Sequence, residues 1–193
     1  MHSWKWQLLM SACLGLFGCS SQSHAAKAAA PETQASSAVS HAICVLQPVG
    51  DSRVTGTVTF EQTPAGVQVH ARLAGLEPGE HGFHIHEFGD CSAKDASCAG
   101  AHFNPAGLPH GGPDSAKRHA GDLGNILADS QGNAEYQRLD KVIELDGPRS
   151  IIGRSIVVHA GRDDLTSQPS GNSGGRSACG VIGIMGATNS QHP

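Results

Sequence analysis

The chain has 193 residues and a formal net charge of −4, from 13 basic and 17 acidic side chains. This balance, without any basic run, gives no reason to expect a nucleic-acid partner. Aromatic residues make up only 4% of the chain, so a core has to be built from aliphatic side chains, alanine and glycine. A chain of this length suits one domain.

Residues 1–18 have the pattern of an export signal. A short polar start precedes a mostly apolar run over 8–18, too short to cross a bilayer as a helix. The run ends in LFGC at 16–19, which resembles the bacterial lipobox, whose cysteine becomes the lipidated first residue of the mature protein. We therefore expect lipidation of Cys19 and a bacterial, periplasmic, membrane-anchored form. Cleavage after Ala25 also satisfies the small-residue rule and would give a soluble form.

The remaining sequence predicts one domain over 41–193, joined to the signal by a flexible tether over 19–40 that is rich in Ser, Ala and Gln. Eight short segments of the domain have strand character and no helical period. They are 42–48, 54–61, 66–74, 81–87, 122–128, 133–139, 151–159 and 179–185. This pattern predicts an all-β fold, an eight-stranded antiparallel Greek-key barrel or immunoglobulin-like sandwich, with two long functional loops.

A His-x-His pair lies in the fourth segment. Side chains two apart project from the same face of a strand, so His84 and His86 can share one ion. An isolated histidine is more often an ordinary core or surface residue, and the pair alone does not decide between the two interpretations.

The long loop after this pair has no regular period but carries further ligands. They are His102, His110, His119 and Asp122. Three imidazoles and a carboxylate suit a closed tetrahedral Zn²⁺ site, which would hold the loop in place. His159, at the end of the seventh segment, can join the His84/His86 pair only through the tertiary fold.

These motifs, in this order, resemble the copper/zinc superoxide dismutases. The matching segments span most of 81–185 and are GFHIHEFGD, AHFNP, HGGP, RHAGDLGNI, IIGRSIVVH, DDL and GGRSACGVIGI. The resemblance implies that copper is bound by His84, His86, His102 and His159. It implies that zinc is bound by His102, His110, His119 and Asp122. His102 would then be a bridging imidazolate.

The resemblance also implies the roles of two other residues. Asp163 would hydrogen-bond a ligand of each metal, expected to be His84 and His110, and so fix their orientation. Arg176 would attract and orient the anion beside the copper. Without the resemblance, an arginine in a glycine-rich loop is ordinarily a solvated surface charge.

The implied activity is superoxide dismutation. Superoxide would reduce Cu(II) and leave as O₂, and a second superoxide would reoxidise Cu(I) and leave as hydrogen peroxide, with His102 carrying a proton. Zinc has no redox chemistry and would order and tune the site. The alternatives are a copper/zinc-binding or copper-delivery protein without dismutase activity, a copper-only dismutase, and a metal-stabilised scaffold. The complete ligand sets argue against the first two alternatives, and the third stays open.

The resemblance makes Cys179 one half of a disulfide. Cys91 is the expected partner because it follows Gly-Asp as in many bacterial relatives, and Cys98 is the alternative because it lies nearer the eukaryotic position. Cys44, in an apolar run, is expected to be a small buried residue.

Two further expectations concern substrate guidance and assembly. The segment 166–176 is shorter than the corresponding loop of animal enzymes and lacks their paired glutamates and lysine, so we expect Arg162 to assist Arg176. Residues 88–89, 151–153 and 180–184 resemble the dimer contacts of eukaryotic enzymes, which favours a homodimer.

Overall fold

The computed structural model describes residues 38–186. These residues form one short 3₁₀ turn, Ser97–Ala99, and eight β-strands. The strands are β1 (His41–Pro48), β2 (Thr55–Thr63), β3 (Gly66–Ala74), β4 (Gly79–His86), β5 (Asp122–Ala128), β6 (Ala134–Asp140), β7 (Ser155–His159) and β8 (Arg176–Ile184). The predicted export signal, Cys19 and most of the tether lie outside the described residues. Within that range, no helix has the length and apolar character needed to cross a membrane.

The strands close into one antiparallel barrel in the order β1-β2-β3-β6-β5-β4-β7-β8. The chain passes from β3 to β4 and from β6 to β7 across strands that lie between them, which is Greek-key connectivity. The predicted all-β barrel is therefore confirmed. Closure leaves the barrel without an unpaired edge strand.

Two strand boundaries differ from the sequence prediction by more than two residues. The seventh strand begins at Ser155 rather than 151, because residues 151–154 form a turn in which Gly153 has a φ of +78°. The eighth begins at Arg176 rather than 179, because Arg176 already pairs with His159 of β7. That pairing places both ends of the second long loop, residues 160–175, directly at the ends of these two strands.

The two faces of β4 are buried by different parts of the molecule. Phe83 and Ile85 point into the barrel core. His84 and His86 point outward and are buried as well, with 0% and 2% of their surface exposed. Because the outer face of this strand is covered by the long loops, its alternating pattern puts imidazoles beneath those loops. The metal-ligand candidates therefore lie outside the core.

The first long loop, residues 87–121, returns to β4 and is tied to it by backbone hydrogen bonds. Ile85 donates to Gly121 O at 2.9 Å, and Phe103 donates to Ile85 O at 2.8 Å. A Cβ on Gly121 would lie 2.1 Å from Ile85 O, so only glycine permits this approach. A disulfide between Cys91 and Cys179 joins the same loop to β8. Cys44 is a buried free thiol and Cys98 an exposed one.

Candidate metal centre

The fold brings four buried histidines from three elements into one cluster. β4 supplies His84 and His86, the first long loop supplies His102, and the end of β7 supplies His159. One ring nitrogen of each lies within 4.8 Å of one nitrogen of every other. The Nε2 atoms of His86 and His159 are 3.4 Å apart. We call this group the four-histidine cluster.

A second cluster is centred on the carboxylate of Asp122 at the start of β5. Asp122 Oδ1 lies 2.8 Å from His102 Nδ1, 3.0 Å from His110 Nδ1 and 3.2 Å from His119 Nδ1. Zn–N bonds of about 2.0–2.1 Å in a tetrahedron require ligand atoms about 3.3 Å apart. Because the observed separations approach that value, this group, the Asp122 cluster, has the dimensions of a tetrahedral zinc site.

His102 belongs to both clusters. Its Nδ1 faces Asp122, whereas its buried Nε2 has no hydrogen-bond partner within residues 38–186. The Nδ1 of His84 is buried and unpaired in the same way. Leaving such an atom unpaired costs about 1–3 kcal/mol, and a metal ion that accepts its lone pair removes that cost. Both atoms belong to the four-histidine cluster, so the side chains present fit a bound metal.

The other ring nitrogens of the ligands are held by hydrogen bonds. His84 Nε2 and His110 Nε2 donate to the two oxygens of Asp163, at 2.7 and 3.0 Å. His86 Nδ1 donates to Gly100 O at 2.9 Å, and His159 Nδ1 donates to a loop carbonyl at 3.2 Å. Such contacts fix which nitrogen carries the proton and leave the opposite one free for a metal.

Burial and neighbouring charge divide the imidazoles into two electrostatic classes. Burial lowers the pKa of His102 to about 4 and that of His159 to about 3, so both rings are neutral at pH 7. Burial also acts on His110, but its contacts with Asp122 and Asp163 prevail and raise its pKa to about 9. The pKa of Asp122 stays far below its usual range, because hydrogen bonds from three histidines outweigh burial. Binding of a cation to the Asp122 cluster would therefore release a proton.

Arg176 is fixed beside the four-histidine cluster by two backbone carbonyls. Its guanidinium donates to Ala96 O and, at 2.6 Å, to Gly100 O. Gly100 O is also the acceptor for His86 Nδ1. Arg176 lines an open cavity together with His86, His102 and His159. A fixed cation in a cavity lined by potential metal ligands is suited to attract a small anion.

The structure also corrects the expected role of Arg162 and adds a residue that sequence reasoning missed. Arg162 forms an exposed ion pair with Glu80 at 2.6 Å, which offsets its charge, and it does not line the cavity. Arg154 does line the cavity, stacked 3.5 Å over the ring of Phe103. No role was expected for Arg154 from the sequence, and no local pattern revealed this stacking.

The family model for copper/zinc superoxide dismutase (SODC) matches residues 54–182. The chain belongs to the copper/zinc superoxide dismutase family. A superoxide dismutase [Cu-Zn] of Cordyceps militaris is 49% identical over 152 residues, covering 74% of this chain and 97% of the relative. Among solved structures, the chain is similar to the clock protein EA4, whose crystal structure matches with a TM-score of 0.71. The two sequences are 43% identical, and the match covers 77% of this chain and 97% of the EA4 chain.

Membership of the copper/zinc superoxide dismutase family settles the type of reaction and the cofactors. The enzyme is an oxidoreductase that converts superoxide to O₂ and hydrogen peroxide, with copper and zinc as its cofactors. The two clusters in the structure provide one place for each metal.

Proposed function

We propose that dismutation takes place at the four-histidine cluster and that the Asp122 cluster has a structural role. In this proposal His84, His86, His102 and His159 hold copper. Zinc is held by His102, His110, His119 and Asp122. The observation that carries the assignment is the composition of the two groups: the cluster with the carboxylate has the tetrahedral dimensions preferred by zinc, and the all-imidazole cluster opens to the cavity.

Bound copper supplies the one-electron couple that dismutation needs. The chain's own residues capture the anion and handle protons. Arg176 holds positive charge at the cavity wall, which favours the capture and orientation of superoxide. Formation of hydrogen peroxide consumes two protons, and His102 Nε2, buried and without a hydrogen-bond partner, is positioned to hold one of them beside the cavity.

Asp163 contacts one histidine of each cluster, which agrees with the proposed roles of the two clusters. Its carboxylate accepts from His84 on one side and from His110 on the other, and both rings are fully covered. Because its pKa lies well below the usual range, it stays ionised and can orient both rings.

Metal analysis and a superoxide assay on the purified protein test the proposal. We expect one copper and one zinc per chain and a dismutation rate far above that of free copper. Protein that binds both metals but gives no rate above free copper would instead support the alternative of a copper- and zinc-binding or copper-delivery protein.

We further propose that the mature protein begins at lipidated Cys19 and is anchored to a bacterial envelope membrane, facing the periplasm. The proposal rests on the LFGC motif that ends the apolar run of residues 8–18. The disulfide supports an oxidising compartment. Mass spectrometry of the mature N-terminus tests it: a diacylated Cys19 supports the anchor, whereas an unmodified N-terminus at Ala26 replaces it with a soluble periplasmic form.

We also propose a homodimer formed through β1, β8 and the start of the first long loop. Large apolar side chains are exposed here, namely Val45 at 53%, Phe88 at 53%, Val181 at 46% and Ile184 at 63%. β1 and β8 are paired neighbours, and a Cβ on Gly89 would lie 3.1 Å from Val181, so these side chains belong to one region of the surface. An exposed apolar patch of this kind marks a protein interface.

Sedimentation analysis tests the dimer. Val181→Glu should convert a dimer to monomers, whereas Leu127→Glu, a change on β5 at a side chain that is 65% exposed, should not. A wild-type protein that sediments as a monomer would refute the proposal.

A further inference from the structure

The second long loop, residues 160–175, holds His110 at three points. Gln168 Oε1 accepts a hydrogen bond from the backbone N–H of His110 at 2.8 Å, and Gln168 Nε2 donates to His110 O at 2.9 Å. On the ring side, Asp163 Oδ1 accepts from His110 Nε2 at 3.0 Å. Both backbone polar groups and one ring nitrogen of this histidine are therefore bound by a single loop.

Both the oxygen and the nitrogen of the Gln168 side-chain amide have a hydrogen-bond partner in the backbone of His110. An amide offers one acceptor oxygen and a donor nitrogen, and His110 presents a backbone donor and a backbone acceptor to it. Gln168 Nε2 also donates to Thr166 O at 3.2 Å, which holds the amide in the same orientation. An ionised aspartate or glutamate at this position would offer only acceptors and could not donate to His110 O.

The loop packs directly on the contact between His110 and Asp163. A Cβ on Gly171 would lie 1.7 Å from Asp163 Oδ1 and 2.6 Å from His110 Nε2. Its φ of +68° is also in the left-handed region that favours glycine. Gly171 donates to Ser167 O at 2.7 Å, and Asp164 donates to Gly171 O at 2.9 Å, so the loop is folded over His110.

The same loop forms part of the cavity above the four-histidine cluster. Pro169, the residue after Gln168, lines that cavity with Ser170 and Gly174. Gly174 O accepts from His159 Nδ1 at 3.2 Å. One segment of seven residues thus runs from the backbone clamp on His110 to a ligand of the other cluster.

We propose that Gln168 is a positioning residue that couples zinc binding at His110 to the order of the 160–175 loop, and hence to the wall of the substrate cavity. A bound ion fixes the ring of His110, and the Gln168 clamp passes that restraint to the loop through the backbone. By linkage, a loop that is held in place by Gln168 must in turn strengthen zinc binding, and we expect this gain to appear as slower loss of zinc. The inference rests on the proposed zinc site.

Release of zinc to a colorimetric chelator from the copper- and zinc-loaded enzyme provides the first test. Gln168→Met keeps the length of the side chain but loses both contacts with His110. We expect zinc release from this variant to be about fivefold faster. This is the lower end of the range for the loss of two hydrogen bonds, chosen because Gln168 is exposed. Gln168→Glu, which keeps the acceptor but opposes an oxygen to His110 O, should not restore the wild-type rate. Gln131→Met, the same change in the exposed β5–β6 turn, should leave it unaltered.

Amide hydrogen exchange of residues 164–175 separates coupling from a purely local structural effect. In the wild-type protein, zinc should slow exchange across this segment, and in Gln168→Met that zinc dependence should shrink. An equal rise in exchange with and without zinc would reduce Gln168 to a local structural residue and overturn the inference, as would zinc release at the wild-type rate. If the wild-type protein bound no zinc, the proposed function would fail instead.

Discussion

Opening the Cys91–Cys179 disulfide should destabilise the metal-free domain by about 4.6 kcal/mol. The bond joins residues 88 positions apart. In the chain-entropy model, a cross-link that closes a loop of this length raises the free energy of the unfolded chain by about 4.6 kcal/mol. That amount is comparable to the whole stability of many domains, so reduction should move the unfolding midpoint strongly.

The same change should also affect the cavity. The disulfide packs in a small apolar cluster with Val49, Ala96, Ala99 and Val157. The carbonyl of Ala96 is one of the two acceptors that hold the guanidinium of Arg176. When the disulfide opens, the loop that carries Ala96 loses its bond to β8, and we expect slower superoxide capture in protein that is still folded.

Urea unfolding of the metal-free protein measures the first effect, because bound metals would otherwise add their own stabilisation. The free energies of unfolding of the oxidised and reduced forms are compared in a Cys98→Ser background, because this substitution removes the exposed free thiol. A Cys91→Ala/Cys179→Ala variant should agree with the reduced form, and Cys98→Ser alone should match the wild type. A loss below about 1 kcal/mol on reduction would refute the loop-closure reasoning, since that model requires several times more.

Three other predictions concern the ligands, the cavity and pH. His102→Ala should impair both metal sites, and His119→Ala chiefly zinc, because only His102 faces both clusters; metal content and copper spectroscopy check this. Arg176→Ala should lower the second-order rate of dismutation by roughly tenfold and weaken its salt dependence while both metals stay bound, because fixed charge acts on capture. The raised pKa of His110, about 9 against 6.5 in the unfolded chain, should stabilise the metal-free domain below pH 6.5 and lose that effect as the pH rises through about 9. Unfolding of the metal-free protein at several pH values measures this contribution.

Each of these predictions has an outcome that would contradict it. Unchanged copper spectra and zinc content in His102→Ala would exclude the shared ligand. If Arg176→Ala and Arg176→Glu both kept the parent rate and salt dependence, Arg176 would be an ordinary loop residue. A His110→Ala variant whose metal-free stability fell with pH as the parent's does would assign that pH dependence to other groups.

The sequence predicted the barrel well because alternation and turn residues are local signals. All eight segments contain strands. The seventh was predicted to begin at 151, four residues too early, because an apolar Ile-Ile pair precedes Gly153 and hides a turn. Spacing and family resemblance named the ligands, and the resemblance also divided them into two sets. Spacing alone could not join His159 to the His84/His86 pair, because only closure of the barrel brings it to β4.

Contacts of the long loops with residues distant in sequence could not be predicted from sequence patterns. Arg162 was expected to guide substrate, but its neighbour across space, Glu80, neutralises it, and no spacing rule links residues 82 positions apart. Gln168 and His110 are separated by 58 positions and meet only because both long loops fold over the same face of the barrel. A glutamine in a polar loop carries no pattern that distinguishes a clamp from a solvated side chain.

The oxygen of Gly100 has a consequence for how the site behaves as the molecule fluctuates. Because His86 and Arg176 both donate to this single atom, a displacement of the surrounding loop moves both groups in the same direction. The spacing between the guanidinium of Arg176 and the imidazole of His86 is therefore expected to change little during such motion. His86 and Arg176 lie on different strands, and it is their shared acceptor, the carbonyl oxygen of Gly100, that keeps their spacing constant.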